Sequence, residues 1–596
     1  MSLSCLQRWG PGTDGSWLDR RFDGTPATPR TKIGVPVAGV GVWPFGVTRT
    51  STQRSLPARP RNVRNCGRAP LFLRVLRAAP HERRLVASRV VNLASALLAT
   101  AASTPDRVAL AGPAPVTYGE LAAAAAGVAA GVGARGVDGD RVAIVAGNEA
   151  DFVGAYLGVL AAGAIAVPLN VGSPSHELGR ELDVVEPGLV IASTQYADLA
   201  RRSVAQSGAG PAVVVADELV GTGAAWNPVP RTTGDVAVLL FTAGTAGAPK
   251  PAMLTHGSLL ANIEQMQSHP GLRVSADDVV LGVLPLFHVY GLNVVLGLTL
   301  FAGAAVSLLE HFHPVEALAR VRSDRVTVIA GVPAIYDAWL GLDDVNAPRD
   351  AFAAVRLCVS GAAALVGATA RSMRERFGVS VHDGYGLTEA SPVVTTTAVE
   401  ATPRPGSIGP PLPGVDVRLL DRDGNPALEH DPGEILVRGP NVFAGYWNDA
   451  DSTAAVLVDG WLHTGDIAVA DGDGWLTLVD RAKDVIIVSG FNVFPGEVED
   501  ALRSHRDVAD VAVVGEPHPR TGESVVAYVV PRAGHAPDPV ELLRHAGRYL
   551  ARYKLPTRVE VVDALPRTLA GKLVRRELSS ATREGRAAND ATTKPA

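Results

Sequence analysis

From Val90 onward the apolar positions repeat in two alternating textures. "LASALLATAAS" (93–103), "TYGELAAAAAGVAAGV" (117–132) and "DFVGAYLGVLAAGA" (151–164) read as helices. Between and after them, "RVALAG" (107–112), "DRVAIVAG" (140–147) and "IAVPLN" (165–170) read as strands. The alternation continues through "VTVIAG" (326–331) and "VRLCVSG" (355–361). Helix and strand in turn predict an α/β fold with largely parallel sheets.

The texture changes near Gly406. Short β-runs follow, "VDVRLLD", "GEILVRG" and "GWLTLVDR", divided by Gly, Asp and Pro turns. After Arg481 comes a smaller α+β piece, from "VIIVSG" and "EVEDALRSH" to "PVELLRHAGRYL" and "TRVEVVD", and a basic, polar tail closes the chain. No internal repeat is evident. Gly131, Gly133 and Gly136 spell G-x-G-x-x-G, but they follow a helix and precede a strand. A dinucleotide fingerprint needs the opposite order, so these glycines are expected to make a turn.

At 596 residues the chain is too long for one core, and 47% apolar against 19% charged residues is ample for large buried sheets. A net charge of -5 gives no general nucleic-acid signal. Three cysteines, Cys5, Cys66 and Cys358, form no disulfide framework or metal-ligand spacing, which fits a reducing cytoplasm. The charge is uneven: through Arg89 there are 16 Lys/Arg and 4 Asp/Glu, leaving 39 against 56 for the remainder. This Pro- and Gly-rich start has no sustained period, and is expected to be a disordered extension rather than a targeting leader or a partner-binding arm. Val279 to Leu309 carries no Asp, Glu, Lys or Arg and could span a bilayer on length alone. Pro285, His288 and Asn293 interrupt it, so buried elements of an α/β core explain it better, with a peripheral membrane contact left open.

The candidate chemistry sits in loops. "LLFTAGTAGAPKPAMLTH" (239–256) ends an apolar run in small, hydroxylated and glycine residues, then a lone lysine between two prolines. Gly244 and Gly247 let backbone N–H groups approach an anion, Thr242 and Thr245 add hydroxyls, and Lys250 adds a point charge. This is a phosphate cradle in kind, although not the common P-loop, whose lysine precedes Ser or Thr. "HDGYGLTEASP" (382–392) groups an aromatic face, a hydroxyl and a carboxylate, suited to a base, a phosphate and Mg²⁺. "GWLHTGDIA" supplies Asp466, fit to bridge two ribose hydroxyls, and "LPRTLAGKLVRREL" supplies Lys572 on a glycine-flexed loop. Each alone has an ordinary alternative as a turn residue, a helix-cap partner or a solvated charge.

Together, in this order, these motifs resemble the adenylate-forming (AMP-binding) superfamily, in its acyl-CoA synthetase branch, over roughly Val90 to Ser580. The resemblance implies two packed α/β subdomains plus a small β-barrel, followed by a mobile α+β lid. The expected divisions are an extension over 1–88, an ATP- and acyl-binding domain over 89–480, a lid over 481–582 and a tail over 583–596. It implies a two-step ligation in which a carboxylate attacks the α-phosphorus of ATP, and coenzyme A then displaces AMP. On the family pattern Thr242, Gly244, Thr245, Gly247 and Lys250 cradle the β- and γ-phosphates. Tyr385 stacks on adenine beside Asp383 and Gly384, Thr388 touches the α-phosphate, and Glu389 binds Mg²⁺. Asp466 holds the ribose with help from Arg481, and Lys572 enters for adenylation. Lys483 is the hinge, and Gly490 lies on the lid face that serves thioester formation.

Two departures from the family carry information. The loop reads T-A-G-T-A-G-A-P-K-P where the family has T-S-G-T-T-G-x-P-K-G, so Ala243 and Ala246 lack hydroxyls and Pro251 lacks an N–H. A working but weaker ATP site is expected. In "PLFHVYGLN", His288 stands where amino-acid-activating relatives place an aspartate for the ammonium group. A buried ammonium without a partner is costly, so an amino-acid substrate is disfavoured. His288, Tyr290, Gly291, Ser360, Gly361, Ala362 and Gly384 are expected to line the acyl pocket. The expected substrate is an apolar acid, most simply a fatty acid, with an aryl acid as the alternative. Coenzyme A is the expected acceptor, since no carrier segment follows Lys572; loading of a separate carrier protein is the alternative, and a non-catalytic sensor a weaker one.

Overall fold

The computed structural model describes residues 91–578, apart from 138–139, 209, 221–222, 243–248, 346, 401, 405, 482–483, 485, 489–490, 519–520, 551, 568–572 and 576. The extension 1–88 and the tail 583–596 therefore lie outside the described residues, as do Gly244, Thr245, Gly247, Lys483, Gly490 and Lys572.

Four sheets organise the described residues. The first has eight strands, in the order Val393–Thr396, Val381–Gly386, Leu357–Ser360, Val328–Gly331, Val279–Gly282, Ala305–Leu308, Val108–Ala111, Val116–Thr117. Its interior pairs are parallel and its two outermost pairs antiparallel. The second has six strands: Ala212–Val215, Leu189–Ala192, Arg141–Val145, Ile165–Pro168, Val236–Thr242 and, antiparallel at the edge, Lys250–Thr255. The inner strands are buried on both faces, which is why they read as continuous rather than alternating apolar runs. The third sheet, wholly antiparallel, is the small β portion over 416–481. The fourth, with helices Pro495–Arg503 and Pro539–Ala546, makes the C-terminal α+β part.

The local signals are physical. Helix Tyr118–Gly133 starts at a capping box: Thr117 accepts from the Glu120 N–H, and Glu120 returns to the Thr117 N–H at 2.8 Å. It packs against helix Ala150–Ala161, where a Cβ on Gly158 would lie 2.5 Å from the Val128 side chain, so only glycine permits that approach. The expected helix 93–103 is divided at Leu98, whose backbone leaves the helical region (φ -104, ψ 18). The glycines of the dinucleotide decoy form the end of a helix and a turn, with Gly136 at φ 69. The uncharged stretch 279–309 resolves into strand Val279–Gly282, a π-helical segment Tyr290–Gly297, helix Leu298–Phe301 and strand Ala305–Leu308. Among the described residues no helix is long and apolar enough to cross a membrane.

One large core joins the first two sheets to the third, from Leu93 to Leu476. A separate core, Ile486 to Leu550, belongs to the fourth sheet, and the two share no residue.

Candidate active site

Strands Val328–Gly331, Leu357–Ser360 and Val381–Gly386 lie side by side, with Gly331 opposite Ser360 and Ser360 opposite Asp383. Their carboxyl ends thus carry Ser360, Asp383, Gly384 and Tyr385 to one rim, where open α/β sheets place ligands. The Asp383 carboxylate accepts the Gly384 N–H at 3.1 Å and the Leu365 N–H at 3.4 Å. Burial nevertheless pushes its carboxyl up to about 7.

The candidate acyl residues meet at the same rim. The Tyr290 N–H donates to His288 Nδ1 at 3.2 Å. The Tyr290 ring lies on Gly361, 3.2 Å from where a Cβ would be, so the small residue at 361 is required by the tyrosine. Gly384 faces the Ser360 carbonyl, and Ala362 leaves the strand at φ 66. Gly291 serves packing, since a Cβ there would meet the Pro285 carbonyl at 2.2 Å. The Tyr290 hydroxyl and Ser360 Oγ are buried with no hydrogen-bond partner among the described residues.

Thr242 and Lys250 are paired at the loop end of the hairpin between Val236–Thr242 and Lys250–Thr255, and Thr242 Oγ1 donates to the Lys250 carbonyl at 3.1 Å. The cradle residues 243–248 between them are outside the described residues. A segment the sequence reading left aside, 443–452, runs along the outer edge of this hairpin. Met253 donates to the Gly445 carbonyl at 2.8 Å and accepts from the Ala444 N–H at 2.9 Å, and Trp447 donates to the Pro251 carbonyl at 2.8 Å. The segment also holds the 385–389 loop, since the Phe443 N–H donates to the Glu389 carbonyl at 2.9 Å. The Tyr446 hydroxyl donates to Glu389 Oε1 at 2.7 Å. Burial, then the Glu389 charge beside it, raise the Tyr446 phenol above its usual value, so it stays a donor. Lys250 Nζ donates to Ser452 Oγ, lies 3.3 Å from Asp449 Oδ2 and 5.7 Å from the Tyr446 ring centre.

The third sheet contributes Asp466. It stands opposite Arg481 across the strand pair, and its Oδ2 accepts the Tyr385 hydroxyl at 2.7 Å. Both Tyr385 and Asp466 are buried. Thr388 and Glu389 occupy a single 3₁₀ turn, Thr388–Ala390, which begins three residues after Tyr385. Segments about 250, 385, 446 and 466 thereby converge, although they are far apart in the chain.

The sequence and the fold have close counterparts. The AMP-binding enzyme model matches residues 97–447, and the AMP-binding enzyme C-terminal domain model matches residues 497–572. The chain belongs to the AMP-binding enzyme family. It is 34% identical over 533 residues to a long-chain-fatty-acid–CoA ligase of Bacillus subtilis (strain 168), covering 82% of this chain and 94% of that relative. It is 38% identical over 472 residues to a feruloyl-CoA synthase of Amycolatopsis sp, covering 78% and 93%. The crystal structure of ATP-bound MatB from Rhodopseudomonas palustris superposes with a TM-score of 0.77 at 32% identity, covering 83% of this chain and 99% of that one. These relatives place it in the acyl-CoA synthetase branch of the AMP-binding enzymes.

For a member of this family the donor set around Glu389 is telling. Among the described residues no three His, Cys, Asp or Glu side chains converge as a metal cage. Glu389 has a second carboxylate oxygen beyond the one bonded to Tyr446. One carboxylate suits Mg²⁺, which is bound by a carboxylate or two plus substrate phosphates. Tyr446, Asp449 and Ser452 were missed from sequence. The D-x-x-S spacing that caps helix Ala450–Val456 was the only local signal.

Proposed function

We propose that this chain is an ATP-dependent acid–thiol ligase that activates an apolar carboxylic acid as its acyl-adenylate and transfers the acyl group to coenzyme A. In the first step a carboxylate oxygen attacks the α-phosphorus, and the bond to pyrophosphate breaks. In the second the thiolate sulfur attacks the acyl carbon and AMP leaves. The observation that carries the reading is that Lys250 lies over the ring of Tyr446, whose hydroxyl donates to Glu389, while Tyr385, four residues before Glu389, donates to Asp466.

The first step brings an anion to an anion, so fixed positive charge must neutralise the approach. Glu389, with the substrate phosphates, would hold Mg²⁺, which would supply part of that charge. Lys250 at the mouth of the hairpin supplies more, with Thr242, Gly244, Thr245 and Gly247 around the phosphates. Thr388 bonds the α-phosphate. Tyr385, beside Asp383 and Gly384, takes adenine, while Asp466 and Arg481 take the ribose. Lys572 bridges carboxylate and phosphate oxygens from the lid, which turns at Lys483 to present Gly490 for the thiol step. Such alternation assembles each half-site only when needed.

The acid is a fatty acid on this reading. Support comes from small Ala362 and Gly384, from the half-buried His288 in place of a carboxylate, and from the fatty-acid ligase among the relatives. An aryl acid is the second reading, favoured by the feruloyl-CoA synthase relative. Pyrophosphate release across a panel of fatty and aryl acids, with and without coenzyme A, separates them. Fastest turnover with a fatty acid and coenzyme A is expected. Turnover confined to aryl acids would replace the substrate, and no ATP consumption with any acid would overturn the ligase.

A further inference from the structure

The segment 443–452 touches both candidate charge-handling groups and has no assigned role. Gly445 is forced there: its φ is 124, and a Cβ would meet Thr453 Cγ2 at 2.5 Å. The next residue, Tyr446, is fixed by its N–H to Thr453 Oγ1 at 2.9 Å and by an edge contact with Phe443, ring centres 5.0 Å apart. Its hydroxyl then has one partner to reach, Glu389 Oε1. Asp449 divides its oxygens: Oδ1 accepts the Ser452 N–H at 2.9 Å and caps the helix, while Oδ2 faces Lys250.

We infer that this segment is a positioning latch: Tyr446 orients the Glu389 carboxylate toward the nucleotide's Mg²⁺, and Asp449 with Ser452 holds Lys250 until a triphosphate replaces them. The inference rests on the ligase reading above. A hydroxyl bonded to one carboxylate oxygen leaves the other free and fixed in direction. The ring of Tyr446 beneath the ammonium adds a weak cation–π attraction at the same time. The Lys250–Asp449 pair is about a third exposed at each partner, so it is a weak bond. A triphosphate carries several charges where Asp449 carries one, and it displaces the aspartate without a large barrier. Lys250 is thereby kept extended at the hairpin mouth rather than collapsed onto the sheet.

Calorimetric titration of the full chain with ATP, in Mg²⁺ and in EDTA, tests this. Wild-type protein is expected to bind MgATP more tightly than free ATP; failure of wild type to bind either would sink the ligase reading itself. Tyr446→Phe keeps the ring and loses the donor, so the Mg²⁺-dependent gain in affinity should fall by about tenfold while EDTA binding stays within about twofold. Asp449→Asn should tighten ATP binding in EDTA by a fewfold, because the competing charge is gone. Equal loss in both media for Tyr446→Phe, or weaker EDTA binding for Asp449→Asn, overturns the latch. Tyr446→Leu, with the hydroxyl and ring both removed, should lose at least as much of the Mg²⁺ effect, and thermal melting checks that each variant is folded.

Discussion

The hydroxyl of Tyr385 donates to Asp466 Oδ2 at 2.7 Å, tying the end of a parallel strand in the first sheet to the long strand of the small antiparallel sheet. The proposed adenine platform and the proposed ribose carboxylate are therefore one unit. Tyr385→Phe keeps the stacking face and removes this one donor from the carboxylate. A lost hydrogen bond to a charged group costs about 1.5–3 kcal/mol, though water can take up part of that here. KM for ATP is expected to rise by about tenfold, with KM for the acid nearly unchanged. Steady-state pyrophosphate release read at several ATP concentrations checks it. Equal rises in both KM values would mean that the bond serves the fold instead.

Asp383 offers a test in pH. Its ordinary value is 3.8 and burial raises it to about 7 in the fold. Below 3.8 both folded and unfolded chains are protonated there, so the group adds nothing. Between 3.8 and about 7 the folded chain binds the extra proton, and each rise in pH subtracts stability. Above that window the whole penalty stands. Asp383→Asn removes the charge, so its stability advantage should grow by about 1–3 kcal/mol between about pH 5 and about pH 8. Urea denaturation at the two pH values measures this. The same variant is expected to bind ATP more weakly, the usual exchange of stability for function at a buried site. An advantage that is flat across the window would show that Asp383 is ionised without cost.

Much of this was legible in the sequence because the chain's textures are strong. Strands such as Val328–Gly331 and Leu357–Ser360 fall inside the segments read as apolar runs, and the segment 117–132 read as a helix is helix Tyr118–Gly133. The candidate loops stood out because a phosphate, a base and a ribose would each call for a distinctive set of side chains at short spacing. Contacts between distant segments were not. Tyr446 lies 57 positions from Glu389, and Ser452 lies 202 positions from Lys250, distances at which no local period carries information. The π-helical segment Tyr290–Gly297 was hidden for another reason: its apolar run fits several buried conformations equally well.

Pro251 was expected to weaken the phosphate loop, and the hairpin shows why its effect should be small. Met253 turns both its N–H and its C=O to residues 444–445, and the Pro251 C=O turns to Trp447. By the alternation of an antiparallel strand, Pro251 shares that outward face. The missing N–H is thus absent from the 443–452 side and not from the ladder with Val236–Thr242. Pro251→Gly is expected to change KM for ATP by less than about threefold and to destabilise by about 0.4–1 kcal/mol through the freer unfolded chain. Kinetics and melting of this single variant decide it. A large fall in KM for ATP would mean that the proline does impair the cradle.

Lys572 can be tested by separating the half-reactions. On the proposed mechanism it enters the site only while carboxylate and triphosphate meet, and it withdraws before the thiol arrives. Removing it should strip positive charge from the first transition state alone. Lys572→Ala is therefore expected to lower adenylation, read as acid-dependent pyrophosphate release, by at least about a hundredfold. Thioester formation from supplied acyl-adenylate and coenzyme A should stay within about threefold of wild type, because that step gains nothing from the lysine. Gly490→Leu should give the reverse pattern, since its bulk falls on the face proposed for the thiol. Equal loss of both half-reactions in Lys572→Ala, with a melting temperature unchanged from wild type, would remove the lysine from its role and the two-faced lid along with it.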